Sequence, residues 1–230
     1  MNDRICFIVL PGLAPDPLSL VPLKDYLEAR GYAVILTNFT GDLTTKDFSK
    51  VTIDGCLQKI GALIKESKQK YPVVVGIGVS LGGALFIEYA KTHKDLDYIV
   101  SVGTPFKLKN HWLLYTAVAL APILHPMWKV VWPSQRSRPL PVEAAAMSFH
   151  FFEGRFQNNL EKITTPTLFL HSKKDPVTDR KAVFEKSKKF VNAPTKMVLS
   201  PNGGHEINYD PQLIAENFFE FYKSCQKYQK

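Results

Sequence analysis

Residues 73–90 read VVVGIGVSLGGALFIEYA. The first part is an apolar, β-branched run suited to a buried strand, and the last part carries a helical pattern. At the change, Gly78-Val79-Ser80-Leu81-Gly82 matches G-x-S-x-G. Alone this is a weak signal, since composition supplies such a match in about one chain in ten. The setting strengthens it, because a buried strand leads in and an amphipathic helix leads out. In such a unit the serine takes a strained backbone conformation, and side chains at positions 78 and 82 would collide where strand and helix pass. Ser80 is then held above the sheet edge at a helix N-terminus, where backbone N–H groups favour developing negative charge. The competing reading is a Gly-rich turn or a phosphate-binding loop, but neither GxxxxGK[ST] nor GxGxxG occurs. Ser80 is therefore the candidate nucleophile, with Gly78 and Gly82 forming its turn.

The same alternation runs outward through the chain. Strands are predicted at 5–10 (ICFIVL), 32–37, 73–77, 98–103, 167–171 and 196–200, and helices at 22–30, from Ile53 to Ile64, at 81–93 and at 179–190. A final helix begins with Asp210 as N-cap and Pro211 at its first position, and buries Leu213, Ile214, Phe218, Phe221, Tyr222 and Cys225. Continuous apolar strands alternating with helices mean a mainly parallel sheet of about six strands covered on both faces, the α/β class. The pattern breaks at 105–160, which is rich in proline, holds Trp112, Trp128 and Trp132, and shows no clear strand. It reads as an inserted helical cap or lid, leaving 1–104 and 161–230 as the core. A connection that long is far above the usual length in an α/β domain and is commonly functional.

Composition narrows the function. The chain has 230 residues and a net charge of +8, with lysines scattered over the predicted helices and no arginine-rich arm. A solvated basic surface follows, and nucleic acid is not an expected partner. Cys6, Cys56 and Cys225 are far apart and form no CxxC, so they read as core residues and neither a zinc site nor a disulfide framework is expected. The apolar run before Pro11 has six residues, too short for a signal peptide, and the longest run (112–124) falls short of the about 20 needed to span a bilayer. A cytoplasmic location is the simplest expectation.

A nucleophilic serine needs a base and an orienting acid within hydrogen-bond reach. Among six histidines, His205 lies in SPNGGHEINYD, after the sixth strand, with Gly203 and Gly204 able to aim it. His93 reads as surface, His111, His125 and His150 belong to the cap, and His171 ends the fifth strand as a loop-supporting residue. Asp175, in LFLHSKKDPVT, sits at the C-terminal edge of the sheet, where open α/β sheets build their sites. Asp179 competes but reads as the N-cap of the next helix. The order Ser80, Asp175, His205 is the order of the α/β-hydrolase arrangement.

With these residues in hand, the chain resembles α/β-hydrolase-fold serine hydrolases, in particular carboxylesterases and monoacylglycerol lipase-like enzymes. The resemblance runs through LPGLAPDPLSLVPLKDYLEARGYAV (10–34), GVSLGG (78–83), HSKKDPV (171–177) and GGHE (203–206). It implies Ser80 as nucleophile, His205 as base and Asp175 as acid, without metal or cofactor. It also implies an oxyanion hole from the backbone N–H groups of Leu13 and Leu81. The chain departs from the family's His-Gly turn in having Pro11-Gly12. That histidine supports the loop and is not the base, so activity is still expected.

The expected activity is hydrolysis of carboxylic esters through an acyl-enzyme. The cap's apolar runs, from Trp112 to Leu124 and from Met127 to Trp132, favour a lipid-like substrate with a medium or long acyl chain, since a pocket gains about 0.8 kcal/mol per buried CH₂. Transient contact of the cap with a membrane is a secondary expectation. An acyltransferase or thioesterase with the same triad, and a non-catalytic ligand-binding protein of this fold, are the alternatives. Lys107, Lys109, Lys129, Arg136 and Arg138 flank the apolar runs and are expected to be solvated.

Overall fold

In the computed structural model, residues 4–12, 17–38, 51–109, 116, 142–205 and 210–227 are described. They hold six strands: β1 (Ile5–Leu10), β2 (Ala33–Leu36), β3 (Val73–Val79), β4 (Tyr98–Val102), β5 (Thr167–Ser172) and β6 (Thr195–Ser200). Six helices accompany them: α1 (Val21–Glu28), α2 (Ile53–Lys70), α3 (Leu81–Ala90), α4 (Val142–Glu153), α5 (Arg180–Ser187) and α6 (Pro211–Lys227). The strands form one all-parallel sheet in the order β2-β1-β3-β4-β5-β6. This is the expected α/β architecture. Winding runs one way from β1 to β2 and the other way from β3 onward, so the strand order reverses beside β1 and β3. Open α/β sheets hold their ligands in the crevice at such a reversal, outside the C-terminal strand ends.

Both faces of the sheet are covered, and strand alternation assigns side chains to each. Phe7 and Val9 of β1, Val75 and Ile77 of β3, and Val100 of β4 pack under α1 and α6 with Leu23, Leu27, Ile214 and Phe218. Phe7 meets Phe218 edge-on at 5.3 Å and Tyr32 at 5.6 Å, the arrangement the ring quadrupoles favour. Ile8, Leu10, Val74, Ile99 and Phe169 face the other way, toward α2, α3 and α4. The three cysteines are buried and none is in a disulfide. Helix starts follow their capping residues: Thr52 Oγ1 accepts from Gly55 N at 3.1 Å, Asp179 Oδ1 from Lys181 N at 2.9 Å, and Asp210 Oδ1 from Leu213 N at 2.9 Å.

One helix departs from expectation. Every residue of α3 is buried, so it is a central helix and not an amphipathic one. Its sequence explains this, since LGGALFIEYA contains a single charge, Glu88. That charge is neutralised where it lies. Lys91 Nζ donates to Glu88 Oε2 at 2.6 Å and to the carbonyls of Arg155 and Phe156, while Arg155 Nε reaches Glu88 Oε1 at 2.8 Å. Arg155 also binds Asp54 Oδ1 at 2.7 Å, tying α2, α3 and the turn after α4 together.

Of residues 105–160, the described parts join the core at both ends. Phe106 stacks on Phe156 with ring centroids 4.9 Å apart, and Phe149, Phe151 and Phe152 of α4 are buried with them. The apolar runs from Trp112 to Leu124 and from Met127 to Trp132 lie outside the described residues, Thr116 excepted. Lys109 is not solvated as expected: its Nζ donates to the Asp175 carbonyl at 2.6 Å. Among the described residues no helix is long and apolar enough to cross a membrane.

The seating of α3 on β3 depends on glycine. A Cβ on Gly76 would lie 2.7 Å from the Phe86 ring, and one on Gly78 only 2.3 Å from backbone atoms of Gly82 and Gly83. A side chain cannot rotate away from backbone, so Gly78→Ala is expected to cost about 2 kcal/mol or more and to lower Tm by several degrees. Gly204→Ala, whose Cβ meets nothing closer than Pro176 Cδ at 3.9 Å, is expected to leave Tm within a degree or so. Thermal unfolding of the two variants checks this, and equal melting temperatures would contradict the packing account.

Candidate active site

Ser80 stands between β3 and α3 with φ 51° and ψ −113°, a backbone conformation L-residues rarely adopt. Two hydrogen bonds and a tight glycine approach hold it there. Its N–H donates to Val102 O at 2.8 Å, its carbonyl accepts from Ala84 N at 3.2 Å, and a Cβ on Gly82 would run into Pro11 O at 2.6 Å. The strain is held by surrounding structure, which is where such strain persists in proteins. Leu81 is the first residue of α3, and first-turn amides have no carbonyl partner inside the helix. Its N–H thus stands beside the serine at the positive end of α3. Leu13, the other expected oxyanion donor, lies outside the described residues.

Asp175 is carried by the turn after β5 and is almost wholly buried. Its two carboxylate oxygens have separate duties. Oδ1 accepts the backbone N–H groups of Val177 at 2.8 Å and Thr178 at 3.0 Å. Oδ2 lies 2.8 Å from His205 Nδ1. Burial pushes this carboxyl up, but the hydrogen bond and charge of His205, with His171 and the Thr178 N–H, outweigh it and hold the group below the usual aspartate range. The turn itself is stapled to its neighbours. Lys109 N donates to Val177 O at 2.8 Å and Asp179 N to Lys107 O at 2.9 Å, around a bridge between Leu108 and Thr178. Ser172 Oγ donates to the Gly203 carbonyl, linking this turn to the one that bears the histidine.

His205 follows β6 through Ser200-Pro201-Asn202-Gly203-Gly204, where Gly203 takes φ 79°. Its ring is partly exposed, with 17% of the side chain accessible. Nε2 lies 3.2 Å from Ser80 Oγ, so serine, histidine and aspartate form one hydrogen-bonded line across the C-terminal edge of the sheet. Nδ1 faces the acceptor-only carboxylate and must carry the proton, which leaves the Nε2 lone pair for the Ser80 hydroxyl. The arrangement can deprotonate the serine, return the proton to a leaving group, and disperse the charge that forms on the imidazole. No group of three or more metal-ligating side chains occurs among the described residues.

The remaining candidates fall elsewhere. His93 stacks on Tyr89 at 4.1 Å on the surface, His150 is exposed on α4, and His111 and His125 lie outside the described residues. Asp179 caps α5. Two nearby residues escaped the sequence reading of the site. Gly103 takes φ 59° at the end of β4, and a Cβ there would lie 3.2 Å from His205 O, so the chain needs glycine where it passes under the histidine. The Gly103-Thr104-Pro105 turn signal after β4 is the one that could have pointed to it. Lys109 had no such signal, because its reach to Asp175 depends on tertiary placement.

Comparison with known proteins bears on the fold and the family. No curated protein sequence matches the chain. Among solved structures, one of LipS and LipT, described as two metagenome-derived lipolytic enzymes, is similar with a TM-score of 0.77 and 19% identity over 97% of this chain and 95% of that one. A thermophilic esterase from Thermogutta terrifontis gives 0.73 and 16% over 96% and 90%. An E-2-(acetamidomethylene)succinate hydrolase gives 0.71 and 14% over 95% and 91%. At these identities the likeness is one of fold. The sequence pattern of the alpha/beta hydrolase family matches residues 7–217, and the chain belongs to that family.

Proposed function

We propose that the protein is a serine hydrolase of carboxylic esters, with Ser80 as nucleophile, His205 as general base and acid, and Asp175 as the group that orients and charges the histidine. The observation that carries this reading is the pair of contacts at His205, 3.2 Å to Ser80 Oγ and 2.8 Å to Asp175 Oδ2. Ser80 Oγ attacks the ester carbonyl as His205 Nε2 takes its proton. The tetrahedral oxyanion is met by the N–H of Leu81 and, in the same reading, that of Leu13. One such donor contributes about 3 kcal/mol to the transition state. The imidazolium returns its proton to the departing alcohol, leaving an acyl-enzyme. Water, deprotonated by the same histidine, then releases the acid. The strained φ of Ser80 keeps Oγ forward of the sheet, where the attack geometry is prepared before substrate arrives.

The same proposal assigns 1–104 and 161–230 to the catalytic core and 105–160 to a cap. The stacking of Phe106 on Phe156 supports this, since it brings the two ends of the segment together on the core. The tryptophan-rich composition of that segment favours medium or long acyl chains. The lipolytic enzyme and the esterase among the fold neighbours are consistent with an ester substrate.

A fluorophosphonate probe is expected to label the wild-type protein at Ser80 and to leave Ser80→Ala unlabelled. Folded wild-type protein that resists the probe would overturn the nucleophile assignment. On p-nitrophenyl esters, Ser80→Ala is expected to lower kcat about a million-fold. A series from acetate to palmitate is expected to peak at eight carbons or more, and a clear preference for acetate would remove the argument from the apolar cap. Asp175→Asn is expected to reduce kcat about 10⁴-fold by losing the histidine's orientation. It also has a signature in stability. The folded pKa of Asp175 is depressed, so its contribution is complete above the unfolded value of about 3.9 and is lost as pH falls below about 4. Urea unfolding of wild type should therefore weaken between pH 6 and pH 3 more than that of Asp175→Asn.

A further inference from the structure

Among the described residues, His171 is the one buried titratable side chain at this site to which the reaction gives no task. It is the penultimate residue of β5, on the face that carries Phe169, and is buried to 1% accessibility. Its Nε2 lies 3.4 Å from Asp175 Oδ2, and neither ring nitrogen has a formed hydrogen bond. A carboxylate has about four acceptor positions. Two on Oδ1 are filled by the N–H groups of Val177 and Thr178, and one on Oδ2 by His205. The fourth faces His171.

We propose that His171 is a positioning residue for Asp175: neutral, with its proton on Nε2 directed at Oδ2, it completes the set of donors around the carboxylate and fixes the carboxylate plane toward His205. The tautomer follows from electrostatics. An Nε2 lone pair facing a buried carboxylate would be repelled, whereas Nε2–H is attracted. The neutral form follows from the surroundings. Burial lowers the imidazole's affinity for a proton. Asp175 opposes this, while His205, Lys109 on the Asp175 carbonyl, and Arg180 at the start of α5 add to it. This inference rests on the hydrolase reading above for its consequence, though not for its geometry.

The consequence concerns how charge is shared. With two donors on Oδ2, part of the carboxylate's charge is turned toward His171 and less is left to stabilise the His205 imidazolium. Removing His171 concentrates that charge on His205 and makes it more basic, so the unprotonated base is lost at a higher pH. The test compares pH profiles of kcat/KM on a p-nitrophenyl ester for wild type, His171→Leu and His171→Gln, each checked for folding by thermal melting. A Gln side chain can place its amide NH₂ near the position of Nε2. His171→Leu is expected to move the acid limb upward by about half a pH unit and to lower the plateau about three- to tenfold, with His171→Gln restoring most of both. An unshifted acid limb in folded His171→Leu, or no restoration by His171→Gln, overturns the proposal.

A second measurement needs neither a variant nor turnover. In wild-type protein labelled with ¹⁵N-histidine, the ring shifts of His171 are expected to report a neutral Nε2–H tautomer unchanged between pH 5 and 8. An Nδ1–H tautomer, or titration in that range, overturns the proposal even if the enzyme is active. The expected tautomer in a protein that resists the fluorophosphonate probe would uphold the contact while removing the hydrolase reading, so the two failures are distinguishable.

Discussion

The closeness of α3 to β3 is the constraint on which the rest depends. Gly76 and Gly78 on the strand and Gly83 on the helix leave no room for a β-carbon between the two elements, and Gly82 leaves none against the end of β1. The helix therefore lies flat against the centre of the sheet, with every side chain buried. The chain must reverse sharply to reach it, and the reversal forces Ser80 to φ 51°. The serine's projection above the sheet edge is thus a by-product of packing. Because the two elements are among the most buried in the molecule, relaxing the strained residue would mean lifting a central helix from its seat.

Everything else at the site arrives from strands further along the same edge. The turns after β4, β5 and β6 bring Gly103, Asp175 and His205, and they are joined to one another more than to solvent. Ser172 reaches the Gly203 carbonyl, Lys109 the Asp175 carbonyl, and Thr178 Oγ1 lies 3.4 Å from Gly103 O. The aspartate is over-determined by donors on both oxygens, which leaves the partly exposed histidine as the member with freedom to shift a proton. That division suits proton transfer: one fixed charge, one movable carrier, one strained oxygen.

The parts visible in the sequence were those governed by local chemistry. The β-branched run at 73–79, the glycine spacing at 78 and 82, Asp179 and Asp210 as caps, and strand and helix alternation all follow from backbone preferences within a few residues. Asp175 and His205 were readable because each follows a recognisable strand in a fixed order. What escaped was set by contacts between distant segments. α3, expected to be amphipathic, is buried throughout, and the burial of its Glu88 is explained only by the distant Arg155 together with Lys91. Lys109 looked solvated because the turn it clasps is far along the chain. His171 was placed beside its loop, but nothing in its own neighbourhood revealed that its Nε2 lies 3.4 Å from the oxygen that meets His205.

The stacking of Phe106 on Phe156 has a wider meaning. It brings two residues far apart in the chain to one point of the core, beside the ion pairs that Arg155 makes with Glu88 and Asp54. For a flexible path between two joined ends the entropic cost of added length grows only logarithmically, by about 0.6 kcal/mol for each doubling. A change of length between the two rings therefore costs little, so long as the rings still meet on the core.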